Sequence, residues 1–260
     1  MNVPILVYHR VPRDASQRSP WALPLEDFRA QMAYLARNDI AVCTLDAFWE
    51  SYRSHRPLDR KSVILTFDDG YAATCANVER VLDQYNYPAT LFLTIDVIGR
   101  RDPMDARDEG VLTWEQIRAL GRLRVEAHTM SHPRLSLLDR DGVRREVRAC
   151  KAIIEDELGR AINHFAYPFG GYTRMVRAEV RGAGYESAYA AHTGPATFHD
   201  DPFQFHRILI DGRTSLDTFA RRAQSGFLSQ REKVAAGVRM GLFHVPVVHD
   251  LVEHRKARRG

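Results

Sequence analysis

Short apolar runs alternate with amphipathic stretches along most of this 260-residue chain, and this alternation limits the possible folds. The apolar runs have the length of buried strands and are separated by polar residues and turn residues. They occupy residues 4–9, 62–67, 89–94, 124–129, 164–168 and 206–210. Strand–helix alternation over such a length predicts a mainly parallel sheet covered by helices, that is, an α/β fold.

The stretches between the apolar runs have the periodicity of amphipathic helices. Apolar side chains recur at three- and four-residue steps over 25–37 and over 139–158, so we predict a helix in each segment. Residues 113–116 read Thr-Trp-Glu-Gln, which is the pattern of a capping box. This pattern predicts another helix that begins there and ends at Gly121.

Two architectures fit a parallel sheet of this kind, a closed barrel and an open, doubly wound sheet. No Gly-x-Gly-x-x-Gly pattern follows an early strand, so we predict a distorted (β/α) TIM-like barrel with mainly parallel strands. We assign residues 1–212 to this barrel. Residues 213–260 are predicted to form a helical and basic C-terminal extension that packs on the barrel or trails from it.

Composition excludes several classes of protein. No apolar run approaches the roughly 18 residues that span a bilayer, and the N-terminal apolar stretch is too short for a signal peptide. We therefore expect a cytoplasmic protein without a transmembrane segment, unless an export signal has been removed. The net charge is only +4 and no nucleic-acid-binding motif is present, so we expect no nucleic acid partner.

Titratable side chains follow three of the predicted strands. His9 ends the first strand, Asp68 and Asp69 follow the second, and His128 and His132 follow a later one. Active sites of parallel α/β folds gather at the carboxyl ends of the strands. The sequence therefore predicts that these five side chains share one rim of the barrel.

These residue types are suited to metal-assisted hydrolysis. His128 and His132 have the i, i+4 spacing that lets two imidazoles meet one metal ion, either on a helical turn or across a tight strand-to-helix corner. One aspartate would complete a catalytic zinc-type ligand set. Adjacent residues at a strand end point in different directions, so the other aspartate would act as a base on an activated water. A histidine across the site, such as His9, would protonate a leaving amine.

Three motifs, in this order and at these distances, resemble those of the polysaccharide deacetylases of carbohydrate esterase family four. They are "TFDDGY" at 66–71, "HTMSHP" at 128–133 and "FAYPFGGY" at 165–172. The phrases "PILVYHRV" and "YPATLFLT" are also similar to that family, and the resemblance covers roughly residues 3–210. It implies a distorted (β/α) barrel and the metal-dependent removal of N-acetyl groups from an amino-sugar glycan or a glycan precursor.

The resemblance also implies a role for each motif residue. Asp68 matches the family's catalytic base, and Asp69, His128 and His132 match its metal ligands. The implied cofactor is a divalent metal, zinc first, with cobalt or nickel as alternatives. Phe169 lies where the family uses a backbone N–H to hold the oxyanion. The residues that we assign to substrate binding are Tyr167, Pro168, Phe169, Gly170 and Tyr172.

The sequence departs from the common family pattern in two places. Many members have an arginine in the third motif that braces the base, whereas this chain has Ala166, and we assign the bracing role to Arg207 in "FHRILI". The acid is commonly carried by a motif near the C-terminus. This chain resembles the circularly permuted branch, in which "LVYH" comes first and His9 is the acid; His249 in "VPVVHD" is the rival candidate.

Two other functions remain open at this point. The same site would serve an amidohydrolase that acts on a small non-sugar amide or imide. A non-catalytic glycan-binding barrel is the third possibility, but it predicts a lost base or ligand, and none of the four metal-and-base positions is lost. Aromatic residues such as Trp21, Trp49 and Trp114 would either stack on sugar faces or fill the core. In every reading except the small-amide one, the partner is a carbohydrate.

Overall fold

The computed structural model describes residues 2–100, 110–191 and 194–227. Seven strands form a closed parallel barrel, which confirms the predicted distorted TIM-like fold. The barrel closes because its first strand pairs with the second on one side and with the last on the other. The barrel strands are β2 (Ile5–Tyr8), β4 (Ser62–Asp69), β5 (Ala89–Leu93), β6 (Leu123–Ala127), β7 (His164–Ala166), β8 (Ser187–Ala191) and β10 (Phe205–Leu209). Three two-residue strands flank the barrel, namely β1 (Asn2–Val3), β3 (Ala41–Val42) and β9 (Ala196–Thr197).

Six of the seven α-helices of the described ranges lie between barrel strands, as the alternation predicts, and the seventh follows the last strand. They are α1 (Leu25–Arg37), α2 (Leu45–Ser54), α3 (Ala72–Tyr85), α4 (Trp114–Arg118), α5 (Arg140–Leu158), α6 (Arg174–Gly182) and α7 (Leu216–Ser225). The predicted capping box of α4 is present, but the predicted end at Gly121 is wrong. The backbone N–H of Gly121 donates to the Glu79 carboxylate of α3, and this contact takes the chain out of the helix and towards β6.

One barrel strand, β8, was not predicted. Its sequence, Ser-Ala-Tyr-Ala-Ala, lacks the run of bulky apolar residues that marks the other strands. The last residue of β8, Ala191, has a structural reason to be small, since a Cβ atom at Gly170 would lie only 2.5 Å from the backbone nitrogen of Ala191. The loop after β7 therefore packs directly against the end of β8, and this close approach requires small side chains.

An apolar cluster that draws residues from most of the barrel strands lies below the site. It includes Ile5, Ile64, Phe92 and Phe205, and Phe48 of α2 packs edge-to-face on Phe205. Arg207 lies over the ring of Phe92, with 5.1 Å between the guanidinium carbon and the ring centroid. The site thus rests on a rigid apolar layer.

Only part of the assigned C-terminal extension is described. Within it, α7 packs against α1, and Phe219 makes an edge-to-face contact with Tyr34 at 6.1 Å between ring centroids. Residues 228–260 lie outside the described residues, and so does the rival acid His249. Among the helices of the described ranges, none combines the length and apolar character that crossing a bilayer requires.

Candidate active site

The carboxyl ends of β2, β4 and β6 open into a cavity of about 480 Å³, within the usual size range of small-ligand sites. All five titratable residues predicted to share one rim line this cavity. The two aspartates are the last residues of β4 rather than part of a following turn, because Asp68 and Asp69 still pair with β5. Strand pairing therefore fixes where both carboxylates point.

Asp69, His128 and His132 form a group that could hold one metal ion. One ligand atom from each lies within 4.8 Å of the others. Asp69 Oδ1 is 3.6 Å from His132 Nε2 and 3.9 Å from His128 Nε2. Two imidazoles and a carboxylate are a common zinc ligand set, and the spacing fits a single ion between them.

The ring of His128 is held in the tautomer that metal binding needs. Its Nδ1 lies 2.8 Å from the backbone oxygen of Ala166, which can only accept a hydrogen bond. Nδ1 therefore carries the proton, and the lone pair of Nε2 faces the two aspartates, 3.8 Å from Asp68 Oδ2 and 3.9 Å from Asp69 Oδ1. Burial lowers the pKa of His128 to about 3, so the ring is neutral near pH 7.

The loop that carries His132 has an uncommon backbone conformation. Thr129 and His132 have φ angles of 72° and 58°, and Asp69 has 74°, all in the left-handed region that residues other than glycine seldom adopt. Glu146 of α5 holds this loop, since its carboxylate accepts hydrogen bonds from the backbone N–H groups of Met130 and Ser131. A cluster of left-handed residues at one cavity is typical of a functional site.

Asp68 makes a two-pronged ion pair with Arg207. The two nitrogen–oxygen distances are 2.6 and 2.8 Å, and both side chains are buried. Burial, the largest single influence, would raise the pKa of Asp68. The charge and hydrogen bonds of Arg207, together with the charges of His128 and His9, outweigh burial and hold the pKa at about 2. Asp68 is therefore ionised near neutral pH, and its orientation is fixed by the paired bonds.

His9 lies across the site from the ligand group. Its Nε2 is 4.0 Å from Asp68 Oδ2, and its side chain is partly exposed in the cavity wall. The ring of Trp21 packs against it at 73°, with 5.2 Å between the centroids. The structure thus brings His9 to the site, whereas its rival His249 is among the residues that are not described.

The third motif supplies the wall beside His132. The ring of Phe169 lies 4.8 Å from that of His132, and the guanidinium of Arg134 covers Phe169 at 4.2 Å. Phe169 has a φ angle of 58°, a further left-handed residue at the cavity. Gly170, with φ of 70°, fits against β8 where a side chain would clash.

Not every residue assigned to substrate binding lines the cavity. Tyr167, Phe169 and Gly170 do, whereas Pro168 and Tyr172 are buried and do not. The hydroxyl of Tyr172 bonds to Gln204, and its ring stacks on Tyr167 at 4.8 Å. Pro168 and Tyr172 are therefore packing residues that support the loop from its buried side.

Several lining residues were not assigned to the site from the sequence. Arg10 and Tyr71 face each other in the cavity wall, with the guanidinium carbon 5.7 Å from the ring centroid. Ser19 and Trp21 also line the cavity, although they lie in an irregular segment. No sequence periodicity marks such positions. Their only signal is a nearby motif. Three of them lie within about a dozen residues of His9, and Tyr71 is the last residue of "TFDDGY".

The family model for polysaccharide deacetylases matches residues 55–188, which is more than half of the chain. The chain belongs to the polysaccharide deacetylase family. This confirms the family resemblance of the three motifs, and a polysaccharide deacetylase is a hydrolase. Whether this member is circularly permuted stays a prediction, although β2 does lie between β4 and β10 in the barrel.

Similar proteins support the assignment to the polysaccharide deacetylases. YxkH of Bacillus subtilis (strain 168) is 24% identical over 225 residues, which cover 86% of this chain and 76% of that protein. The poly-beta-1,6-N-acetyl-D-glucosamine N-deacetylase of Escherichia coli (strain K12) is 22% identical over 254 residues, which cover 83% of this chain but 37% of that protein. The solved structure of the Streptococcus pyogenes deacetylase PplD in complex with acetate is similar in fold, with a TM-score of 0.74 and 20% identity. The match covers 85% of this chain and 97% of that chain.

Proposed function

We propose that this polysaccharide deacetylase removes N-acetyl groups from an amino-sugar glycan or glycan precursor by metal-dependent hydrolysis. One observation carries the proposal: a metal-ligand group, a braced carboxylate and a histidine face a single cavity. The name of the Escherichia coli relative, which is an N-deacetylase of poly-N-acetylglucosamine, supports an amino-sugar substrate.

Asp69, His128 and His132 would hold the metal ion. When bound, a divalent ion supplies Lewis-acid chemistry: it polarises an amide carbonyl and lowers the pKa of a water molecule. The ligand set of two imidazoles and one carboxylate favours zinc, and it also accepts cobalt or nickel. The hydrogen bond from His128 to Ala166 holds the ring in place for this role.

Asp68 would act as the base. Arg207 occupies one lone pair on each carboxylate oxygen, so another lone pair on each remains able to accept a proton. Asp68 Oδ2 faces the cavity between His9 and His128, at 4.0 and 3.8 Å from their Nε2 atoms. A water molecule that attacks a carbonyl there would give its proton to Asp68.

His9 would act as the acid, and the loop of the third motif would hold the oxyanion. The leaving amine needs a proton as the C–N bond breaks, and an imidazole can donate one near neutral pH. His9 lines the cavity, and its Nε2 lies 4.0 Å from Asp68 Oδ2. We assign the oxyanion contact to the backbone N–H of Phe169, following the family motif.

The apolar part of the cavity suits the methyl group of an acetamide. Val7, Tyr167, Ala191 and Leu209 line it without offering a charged group. A methyl group buried against such a lining gains free energy from the loss of water contact, whereas a charged acyl group packed on these four side chains would find no ion-pair partner among them. The lining therefore favours a short, neutral acyl group.

The experiment that tests the function measures acetate release together with metal content. The metal-loaded protein should release acetate from N-acetylglucosamine oligosaccharides, and a chelator should abolish the release. Small non-sugar amides and imides belong in the same panel. Turnover of those alone would favour the amidohydrolase reading, and a metal-loaded protein that turns over nothing would favour a binding barrel.

The acid assignment has its own test. His9→Ala should lower kcat by ~10²–10⁴-fold, the range for loss of a general acid or base, with unchanged metal content. His249→Ala is the matched control, because it removes the rival imidazole, and it should keep most of the activity. A mild His9→Ala and an inactive, metal-loaded His249→Ala would move the acid role to His249.

A further inference from the structure

Trp21 exposes more of its surface than any other large apolar residue in the described ranges, at 57%, although it lies at the edge of the cavity. Trp49 and Trp114, by contrast, are only partly exposed and pack against the apolar clusters. Exposure of an indole to water is unfavourable, so a tryptophan fixed at the wall of a cavity indicates a binding surface.

The turn that carries Trp21 is firmly held. The backbone N–H of Arg10 donates to the Trp21 oxygen at 3.0 Å, and Ser19 and Ala22 exchange two backbone hydrogen bonds. Gly212 fits beneath the turn so closely that a Cβ atom there would lie 2.5 Å from the Ala22 oxygen. The indole is therefore exposed while the backbone that carries it is fixed. Binding of a ligand would lose little conformational entropy in this turn.

The position of Trp21 relative to His9 indicates which part of a substrate it meets. The two rings are in edge-to-face contact at 5.2 Å. In the proposed reaction, His9 protonates the amine nitrogen that leaves, and this nitrogen is bonded directly to the sugar ring. The sugar that carries the reacting acetamide must therefore lie on the His9 side of the cavity, beside Trp21.

We propose that Trp21 is the platform on which a pyranose ring of the substrate stacks, and that it selects acetamido sugars over small non-sugar amides. The inference rests on the proposed function. The axial C–H groups of a β-linked hexosamine form an apolar face with slight positive charge, which complements the negative face of an indole. A small amide that lacks such a ring gains nothing from this surface.

The other exposed aromatic residue of the cavity does not offer an equivalent surface. Phe169 is 46% exposed, but the Arg134 guanidinium covers its ring at 4.2 Å, and His132 packs against it. A sugar on that side would meet a cation rather than an aromatic face. Among the described residues that line the cavity, the exposed aromatic face available for stacking therefore lies beside the acid.

Kinetics on N-acetylglucosamine tetrasaccharides, β-1,4- and β-1,6-linked, test the proposal. Trp21→Ala should raise KM by about 10- to 100-fold, from the apolar area that stacking buries, and should change kcat by less than about threefold. Trp21→Phe should restore most of the affinity. Gly212→Ala keeps the indole but displaces its turn, so it should also raise KM. Leu137→Ala is the control, because Leu137 is similarly exposed but does not line the cavity.

Tryptophan fluorescence provides a readout that needs no turnover. In an Asp68→Asn background, the tetrasaccharide should change the emission, and Trp21→Phe should remove this change, whereas Trp49→Phe should keep it. Two results together would overturn the assignment of Trp21 as the stacking surface: a wild-type KM in Trp21→Ala, and an emission change that persists in Trp21→Phe. The proposed deacetylase function would not be affected by them. If the metal-loaded wild-type protein releases no acetate from any sugar, the proposed function fails instead.

Discussion

Asp68→Asn should lower kcat by ~10²–10⁴-fold or more while the protein stays folded and keeps its metal. The amide has nearly the shape of the carboxylate, but it cannot take a proton from an attacking water. Rates of acetate release and elemental analysis on the same preparation measure the two effects. Asp83→Asn, on an exposed side chain far from the cavity lining, controls for the substitution itself and should behave as wild type.

The outcome also separates the two adjacent aspartates. In the structure, Asp69 lies within 4 Å of both imidazoles of the ligand group, whereas both oxygens of Asp68 accept hydrogen bonds from Arg207. A metal-free Asp68→Asn protein would show that Asp68 is a ligand and would reverse the two roles.

Arg207→Met should be the most destabilising single substitution at the site, by about 3–5 kcal/mol in the free energy of unfolding. It leaves the Asp68 carboxylate buried without its cation, while the methionine still packs on Phe92. Urea denaturation measures the loss. The double variant Asp68→Asn/Arg207→Met removes both buried charges and should recover part of this stability. The loss in the double variant should therefore be smaller than the sum of the losses in the two single variants. Strict additivity would show that the pair is not coupled.

The same ion pair has a defined pH dependence. The pKa of Asp68 in the folded protein is about 2, below the ordinary value for an aspartate, which is about 3.9. The contribution of the ionised Asp68 to the free energy of unfolding is therefore fully present above pH ~4 and is lost as the pH falls towards 2. The difference in stability between wild type and Arg207→Met should accordingly narrow in acid, because a protonated Asp68 no longer needs a cation.

The sequence predicts the barrel and most of its elements because their signals are local. The helix over 25–37 has the predicted bounds of α1, and the helix over 139–158 begins one residue later, after its Asp139 cap. Strand β8 lacks the run of bulky apolar residues that marks the other strands, and the small size of its last residue, Ala191, depends on a contact with Gly170, which is distant in sequence. Such constraints depend on the assembled fold and leave no periodic pattern.

The site shows the same division. The motifs indicate the titratable groups and their shared rim, and the spacing of His128 and His132 indicates that they converge. The structure shows how they converge. His128 directly follows the last residue of β6, and His132 lies in the next loop with a left-handed backbone conformation, not on a helix. The support from Glu146 and the exposure of Trp21 depend on tertiary contacts, which explains why the sequence alone does not reveal them.

Metal stoichiometry across four proteins tests the central claim most directly. Elemental analysis should find about one divalent ion per chain in the wild-type protein and in Asp68→Asn, and little or none in Asp69→Asn and His132→Ala, with all four folded by circular dichroism. Asp69 and His132 contact each other at 3.6 Å, so removal of either should open the same ligand group. Full metal occupancy in Asp69→Asn and His132→Ala would contradict the account, because the ion would then be held elsewhere.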